Sequence, residues 1–464
     1  MKVQVISKEI VKPSVPTPPH LRNFKLSLLD QLLPPFYVPI VIYYPASADQ
    51  ECNNDTHEQI SKSELLKKSL SEILTHFYPM GGKVIDNVLI DCNNEGVEFI
   101  EARVDGVMSD FMNVEAVQQL HPLHIMLDDV AKDAQLAIQV NSFGCGGIAI
   151  SISTSHKIID GCTAVTFIRS WAATTRGAPK HEILYPTFDS ADIFPALPSE
   201  VQVSSLESDD SIQGENVVTK VFLFTAPKIA ALRARIVELR SSNVLSKYPT
   251  RTEVLSALIW RSFIKTCRVK AARKLTHSDA STKPIIIRSL TNYAVNLRTR
   301  LNPTLPHVSF GNIIMDATAE STTTIDHEEA TPGFIETLDE LIGQLRLGVN
   351  KIDGEYIRKL QEGDVGFLKS HEASHQSDDH DGDENKVLIC WLNSLCRFPF
   401  YETDFGWGKP SWVALNTNAE YKNSLFLIDT KCGTGVEAWV SLEEEDMAIF
   451  EEDQDLLQYA KTIN

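Results

Sequence analysis

The chain lacks the spacings, runs and charge that would place it in several large classes of protein. Its eight cysteines stand at 52, 92, 145, 162, 267, 390, 396 and 432, with no Cys-x-x-Cys pair and no zinc-knuckle spacing. Neither a disulfide framework nor a structural zinc site is indicated, so no metal is expected. No apolar run approaches the roughly 18 to 20 residues that span a bilayer. Met1 to Pro19 carries three lysines, a glutamate and four prolines instead of the unbroken apolar stretch of a secretion signal. Positive charge is scarce too, 43 Lys+Arg against 62 Asp+Glu giving a net −19. That balance argues against nucleic acid or an anionic membrane as partner, while leaving room for a local basic pocket. A reduced, cytoplasmic protein is the expectation.

What is present is ordinary material for a large globular chain. The 464 residues suffice for two average domains, and 43% hydrophobic with 23% charged residues is a typical balance. Strand and helix patterns interleave, which gives a mixed α/β class. Ser61 to Phe77 has helical apolar spacing, with Ser61 and Glu64 placed as a capping box. Val88–Ile90 and Val97–Ile100 read as short strands, and Ala137–Ser153 reads as two strands broken at Gly144–Gly147. Cys162–Thr175 reads as a helix stopping by Gly177. Residues 188–215 turn to serine, acid and proline without periodicity, as a linker would. The halves are therefore drawn at 1–195 and 217–464, with a crossover at 196–216. In the second half, helices are expected at Lys228–Arg240, Thr252–Lys274 and Phe334–Gly348. Strands are expected at Lys220–Phe224, Lys386–Leu392, Leu425–Asp429 and Gly435–Leu442. The acidic insert 372–386 reads as a loop.

Ser155-His156-Lys157-Ile158-Ile159-Asp160-Gly161 is the segment that carries chemistry. A histidine ending an apolar strand is desolvated yet stands at a cleft, and the following glycine turns the chain into a helix. Such a ring can act as a general base. The spacing alone decides little, because His124/Asp128 and His375/Asp379 share it. The first lies in a Leu/Met-rich stretch without a glycine turn, and the second lies in the acidic insert. The insert also holds His371-Glu372-Ala373-Ser374-His375, the pattern of a zinc-protease helix. It runs directly into polar, acidic sequence with no packing face to fix ligands, and is set aside.

Asp404-Phe405-Gly406-Trp407-Gly408-Lys409-Pro410 is the second signal. A kinase reading of Asp-Phe-Gly fails, since no Gly-rich phosphate loop, β3 lysine or catalytic loop precedes it. Two glycines around Trp407 point to a tight loop with close backbone approach.

These two motifs in this order resemble the plant BAHD acyltransferases, and the resemblance runs over nearly the whole chain. Val11–Pro18 with Leu26–Asp30, Phe77–Lys83, Cys145–Gly147, Ala294–Arg300, Phe310–Asn312 and Tyr401–Glu402 match further family blocks. The wording of Tyr78–Lys83 and Val295–Arg300 is most similar to the branch containing vinorine synthase and other alkaloid acetyltransferases. Two positions depart from the pattern: Leu395 stands where a Trp is usual, and Ser309 where a Tyr is common.

The resemblance implies two chloramphenicol-acetyltransferase-like α/β domains with a channel between them, in a monomer. It implies O-acylation of a plant specialised-metabolite alcohol, an alkaloid above all, with acetyl-CoA as co-substrate and no permanently bound cofactor. Malonyl-CoA or another acyl donor on a terpenoid or phenolic alcohol, and a non-catalytic binding protein of the same fold, stay open as alternatives. His156 is the expected base, and the lack of an evident protein nucleophile favours a ternary complex. Asp160 is either a triad partner or, as the resemblance implies, a loop brace paired with an arginine, the reading preferred here. Arg298 and Arg300 are the candidate cations for Asp160 or Asp404. Phe405, Gly406, Trp407 and Gly408 are expected to support the channel or cleft floor. Thr250, Arg251 and Thr252, at a helix start, either offer amides to coenzyme A phosphates or form an ordinary cap.

Overall fold

Two β-sheets carry the architecture, and the strand that ends at His156 lies well inside the first. The computed structural model describes residues 2–33, 35–46, 56–122, 135–198, 216–239, 248–275, 285–325, 333–375, 385–415 and 421–463. The first sheet has six strands in the order Lys2–Val11, Val97–Asp105, Leu136–Phe143, Ile148–Ser155, Tyr37–Tyr44 and Trp412–Leu415. Val97–Asp105 and Leu136–Phe143 pair in parallel, and the other pairs are antiparallel. Every residue of Ile148–Ser155 is buried. Its branched residues alternate with Ala and Ser, so both faces of the strand can be covered at once.

The second sheet runs Ile314–Ile325, Ile285–Asn296, Asn385–Ser394, Ser424–Asp429, Val436–Glu443, Val217–Phe224, Lys461–Ile463. The sheets do not divide where the chain does. Trp412–Leu415, from the second half, pairs with Tyr37–Tyr44 of the first, Trp412 opposite Tyr43. The same Trp412 donates Nε1 to Glu437 of the second sheet at 3.2 Å and stacks on Trp439 at 5.8 Å. One tryptophan thus pins the two sheets together.

Helix Gly161–Thr175 starts where Asp160 accepts the Thr163 amide as N-cap and ends in a turn at Gly177, φ +68°. It lies against helix Thr56–Leu74. The buried Trp171 donates Nε1 to Leu66 O at 3.2 Å and Ser69 Oγ at 3.1 Å, fixing the contact. Beside it, Gly82 sits so close to the neighbouring chain that a Cβ would lie 2.7 Å from Asp91 O. That close approach is what the Gly81-Gly82 pair permits.

Several expectations shift. The helix expected from Ser61 begins at Thr56, which puts Ser61 inside it and removes the capping box proposed there. Strands Lys2–Val11, Tyr37–Tyr44, Ile285–Asn296 and Ile314–Ile325 add to those read from pattern. Pro39 disguises Tyr37–Tyr44, because proline inside a strand reads as a break. Residues 188–198 are packed chain rather than free linker. Ser190–Ile193 is helical, Phe194 is fully buried, and Leu28 N donates to Phe194 O at 2.9 Å. Residues 199–215 lie outside the described residues. Helix Val365–His375 runs through the backbone of the zinc-protease-like motif, where a loop was expected. Among the described residues, no helix is long and apolar enough to cross a membrane.

Candidate active site

Strand Ile148–Ser155 delivers His156 at its end, and both sides of the His156 backbone are tied. Its N–H donates to Phe36 O at 2.8 Å, and its carbonyl accepts from Asn312 Nδ2 at 2.8 Å. The ring is half-buried and lies edge-on to Phe36 at 5.2 Å, with Tyr421 a further 5.6 Å from Phe36. Nδ1 is sealed from solvent without a hydrogen bond. Burial is the largest influence on the ring and lowers its pKa below the ordinary histidine value. The histidine's own backbone, Asp160 and Asn312 pull upward, and Lys157 pulls downward. The imidazole is therefore held neutral, the form that can accept a proton.

Asp160 directs its carboxylate away from that ring. Arg298 Nη1 donates to Oδ2 at 2.6 Å and Nη2 to Oδ1 at 3.2 Å, while Thr163 N and Ile313 N donate at 2.8 and 3.1 Å. Both side chains are buried. Burial works to raise the Asp160 pKa, but the Arg298 guanidinium and the two amides outweigh it and hold the carboxyl below its usual range. Arg298 also donates to Ser309 O at 2.8 Å and Gly311 O at 3.2 Å. The pair thus fastens the helix after His156 to the 296–313 loop of the second half. Arg300 is engaged elsewhere, donating to Val349 O and Ile352 O at 3.2 and 2.8 Å at the end of helix Phe334–Lys351.

The Asp404–Gly408 loop is a self-contained turn. Asp404 Oδ1 accepts the amides of Gly406 and Gly408 at 2.7 and 3.0 Å, and both glycines have positive φ. Phe405 is buried between Trp407, Trp171 and Tyr44, with ring centroids 5.0–5.7 Å apart. Arg176 donates to Asp404 O at 3.2 Å. Arg176 follows the last turn of helix Gly161–Thr175, whereas His156 precedes its first. At 1.5 Å per residue the two ends are about 22 Å apart. The loop therefore braces the far end of this helix and does not floor the cleft at His156.

At the start of helix Arg251–Leu275, Thr250 N donates to Glu253 Oε2 at 2.7 Å and Glu253 N to Thr250 Oγ1 at 3.2 Å. This is a capping box. Arg346 holds Glu253 at 2.8 and 2.9 Å, and Arg251 pairs with Asp429 at 2.6 Å. A phosphate at the Thr250 amide would have to displace the Glu253 carboxylate.

The two departures from the family pattern lie in different surroundings. Ser309 is fully buried, with Oγ 3.2 Å from Thr187 Oγ1, so it lines no open wall. Leu395 reaches to 3.2 Å of the position a Cβ would take on Gly161, next to Phe398 at 3.3 Å. It packs over the start of the helix that follows His156.

Among the described residues, no group of three or more His, Cys, Asp or Glu is placed to hold a metal ion. The side chains of His371, Glu372 and His375 lie outside that description, as do His124, Asp128 and Asp379. Two residues at the site were given no role from sequence, Asp30 and Asn312. Asn312 donates to both Asp30 Oδ1 and His156 O. Their one signal was membership in the blocks Leu26–Asp30 and Phe310–Asn312.

A histidine at a strand end lies beside a braced helix start, and the two sheets are joined through Trp412. The sequence matches the model of the family described as Transferase family over residues 1–457. It is 38% identical to salutaridinol 7-O-acetyltransferase of Papaver somniferum, over 97% of this chain and 96% of that protein. It is 36% identical to a limonoid 1-O-acetyltransferase of Citrus sinensis, over 99% and 98%. A crystal structure of vinorine synthase is similar at TM-score 0.76 and 33% identity, covering 99% of each chain. The chain belongs to this family, the BAHD acyltransferases. It is an acyltransferase.

Proposed function

We propose that this enzyme transfers an acetyl group from acetyl-CoA to a hydroxyl of a plant specialised metabolite, an alkaloid alcohol, with His156 as general base. The observation that carries the mechanism is the His156 ring, kept neutral by burial at a strand end while Asp160 is committed to Arg298. With Nδ1 sealed, Nε2 is the nitrogen left to face a substrate. It takes the proton of the acceptor hydroxyl as that oxygen bonds to the thioester carbon. The carbon–sulfur bond then breaks, and the departing thiolate receives the proton from the imidazolium. Base assistance of this kind contributes about 10²- to 10⁴-fold. No protein nucleophile is needed, so donor and acceptor are bound together.

The alkaloid assignment rests on the likeness to salutaridinol 7-O-acetyltransferase. The limonoid acetyltransferase is nearly as similar, so the deciding experiment offers both alcohol classes. Purified protein is given acetyl-CoA or malonyl-CoA with each panel, and thiol release is followed with product masses. Acetylation of an alkaloid alcohol is the expected result. Transfer confined to limonoid alcohols would reassign the acceptor, and malonylated products would reassign the donor. Thiol release without acetylated product from either panel would overturn the transferase mechanism.

A further inference from the structure

The second sheet turns one face to its own helices and the other to the first half of the chain. Trp260 Nε1 donates to Ser289 Oγ at 2.9 Å and Tyr293 Oη donates to Leu345 O, so these alternate residues of strand Ile285–Asn296 face the helices. Asp316, Ala294, Asn393, Phe426 and Trp439 form one row across the opposite face. Asp316 pairs with Ala294, Asn393 with Phe426, and Phe426 with Trp439. Ala294 N donates to Asn393 Oδ1 at 3.1 Å and links the two parts of the row. Trp439 closes one end by stacking on Trp412 of the first sheet at 5.8 Å. Toward the other end the row opens: Phe426 and Asn393 are half-buried, Ala294 is exposed and Asp316 is half-buried. Strand Ile285–Asn296 has a neighbour on each side, so an exposed residue on it means an open face. The two sheets meet at the tryptophans and part toward Asp316, leaving a cleft.

This cleft borders His156 through two contacts. Leu395, just past strand Asn385–Ser394, lies 3.2 Å from where a Cβ would stand on Gly161. Asn312, two residues before strand Ile314–Ile325, donates to His156 O at 2.8 Å. Asp316 follows Asn312 by four residues, which is at most about 14 Å of extended chain. Among the described residues none gives Asp316 a hydrogen bond or an ion pair, and burial alone pushes its pKa up to about 6. It still ionises near neutral pH, as a charge that lacks a partner. Trp391 and Ile389 share this face and are half-buried, so the acid stands beside apolar surface. A ligand with fused apolar rings and one cation complements both. We infer that Asp316 is a specificity-determining residue, its carboxylate pairing with the protonated amine of an alkaloid alcohol that lies in this cleft with its hydroxyl at His156. The inference rests on the alkaloid reading proposed above. A neutral limonoid alcohol would gain nothing from Asp316.

Asp316→Asn removes the charge and keeps the shape. It is expected to lower kcat/KM for amine-bearing alcohols by roughly 10- to 100-fold, as loss of a charge-assisted hydrogen bond does, mainly through KM for the acceptor. KM for acetyl-CoA and kcat/KM for limonoid alcohols stay near wild type. The denaturation midpoint does not fall, because the protein loses no bond of its own. Asp316→Glu keeps the charge and recovers part of the amine preference, and Asp316→Ala is a second charge-free variant should Asp316→Asn fail to fold. Equal losses for both alcohol classes, or no loss for the amine-bearing ones, would overturn the inference while wild-type acetylation of alkaloids stands. Wild-type transfer confined to limonoid alcohols would instead remove the alkaloid reading. A cationic alkaloid then serves as competitive inhibitor of limonoid acetylation. A Ki raised 10-fold or more in Asp316→Asn would keep Asp316 as the amine's partner, and an unchanged Ki would overturn that too.

Discussion

Arg298 Nη1 lies 2.6 Å from Asp160 Oδ2, with both side chains sealed from solvent, and the contact joins residues 138 positions apart. It converts the turn after His156 into a junction between the two halves of the enzyme. The Asp160 carboxylate serves as helix cap, ion-pair partner and acceptor for the Ile313 amide at once. An acid so fully engaged organises the backbone around His156.

Breaking this pair should therefore damage stability first. Removing one partner of a buried ion pair leaves the other charge uncompensated, at about 3–5 kcal/mol. Arg298→Met is expected to lower the denaturation midpoint accordingly, with Asp160→Asn milder because an amide still accepts at the helix cap. The pH dependence has a definite sign. The folded Asp160 pKa lies below its unfolded value of about 4. Its contribution is thus complete above about pH 4 and is lost as pH falls through the lower, folded pKa. Denaturation midpoints measured from pH 7 downward should show an acid loss that Asp160→Asn lacks.

His156 makes a prediction about rate instead. Its pKa lies below the ordinary value of about 6.5, with burial as the largest cause. The acid limb of kcat/KM should consequently fall below about pH 6.5, leaving activity level across the neutral range. His156→Ala should lose about 10²- to 10⁴-fold in turnover at every pH and abolish that limb. A retained limb in the variant would assign the titration to another group.

How much of this was legible in the sequence depends on the distance over which each residue acts. His156 stood out because its cues are local: an apolar strand, a glycine and a helix in consecutive residues. Asp160 and Arg298 were both visible as candidates, yet Arg298 and Arg300 are two residues apart and identical in type. Only the folded loop turns one toward Asp160 and the other toward Val349 and Ile352. Asp30 and Asn312 carry no local cue to their contact, since they meet across 282 positions. The Asp404–Gly408 motif shows the opposite failure. It was read correctly as a tight glycine turn, but pattern gives no distance, and the helix of Gly161–Thr175 separates it from His156.

That separation has a measurable consequence. Asp404→Ala removes the acceptor for two loop amides and should cost about 1–3 kcal/mol. Gly406→Ala adds a side chain at φ +112° and 3.3 Å from Arg176 Cβ, which adds strain of about the same size. Both variants should lose thermal stability while their folded fraction keeps near-normal KM for acceptor. Activity normalised to folded protein, measured well below the melting midpoint, separates the two effects. A large change in acceptor KM with unchanged stability would place the loop in the cleft after all.

The capping box at Thr250 and Glu253 gives a test of whether coenzyme A binds at this helix start. If the Thr250 amide is committed to Glu253 and the Glu253 amide to Thr250 Oγ1, Thr250→Ala removes a cap and little else. The expected loss is about 1 kcal/mol, read as a lower denaturation midpoint. KM for acetyl-CoA should be unchanged. Glu253→Gln weakens the hold on Arg346 and on the Thr250 amide together, so it should destabilise further without improving acetyl-CoA binding. If a phosphate instead competes with Glu253 for the Thr250 amide, Glu253→Gln lowers KM for acetyl-CoA and Thr250→Ala raises it. Steady-state kinetics with acetyl-CoA varied at saturating acceptor decide between a helix cap and an anion site.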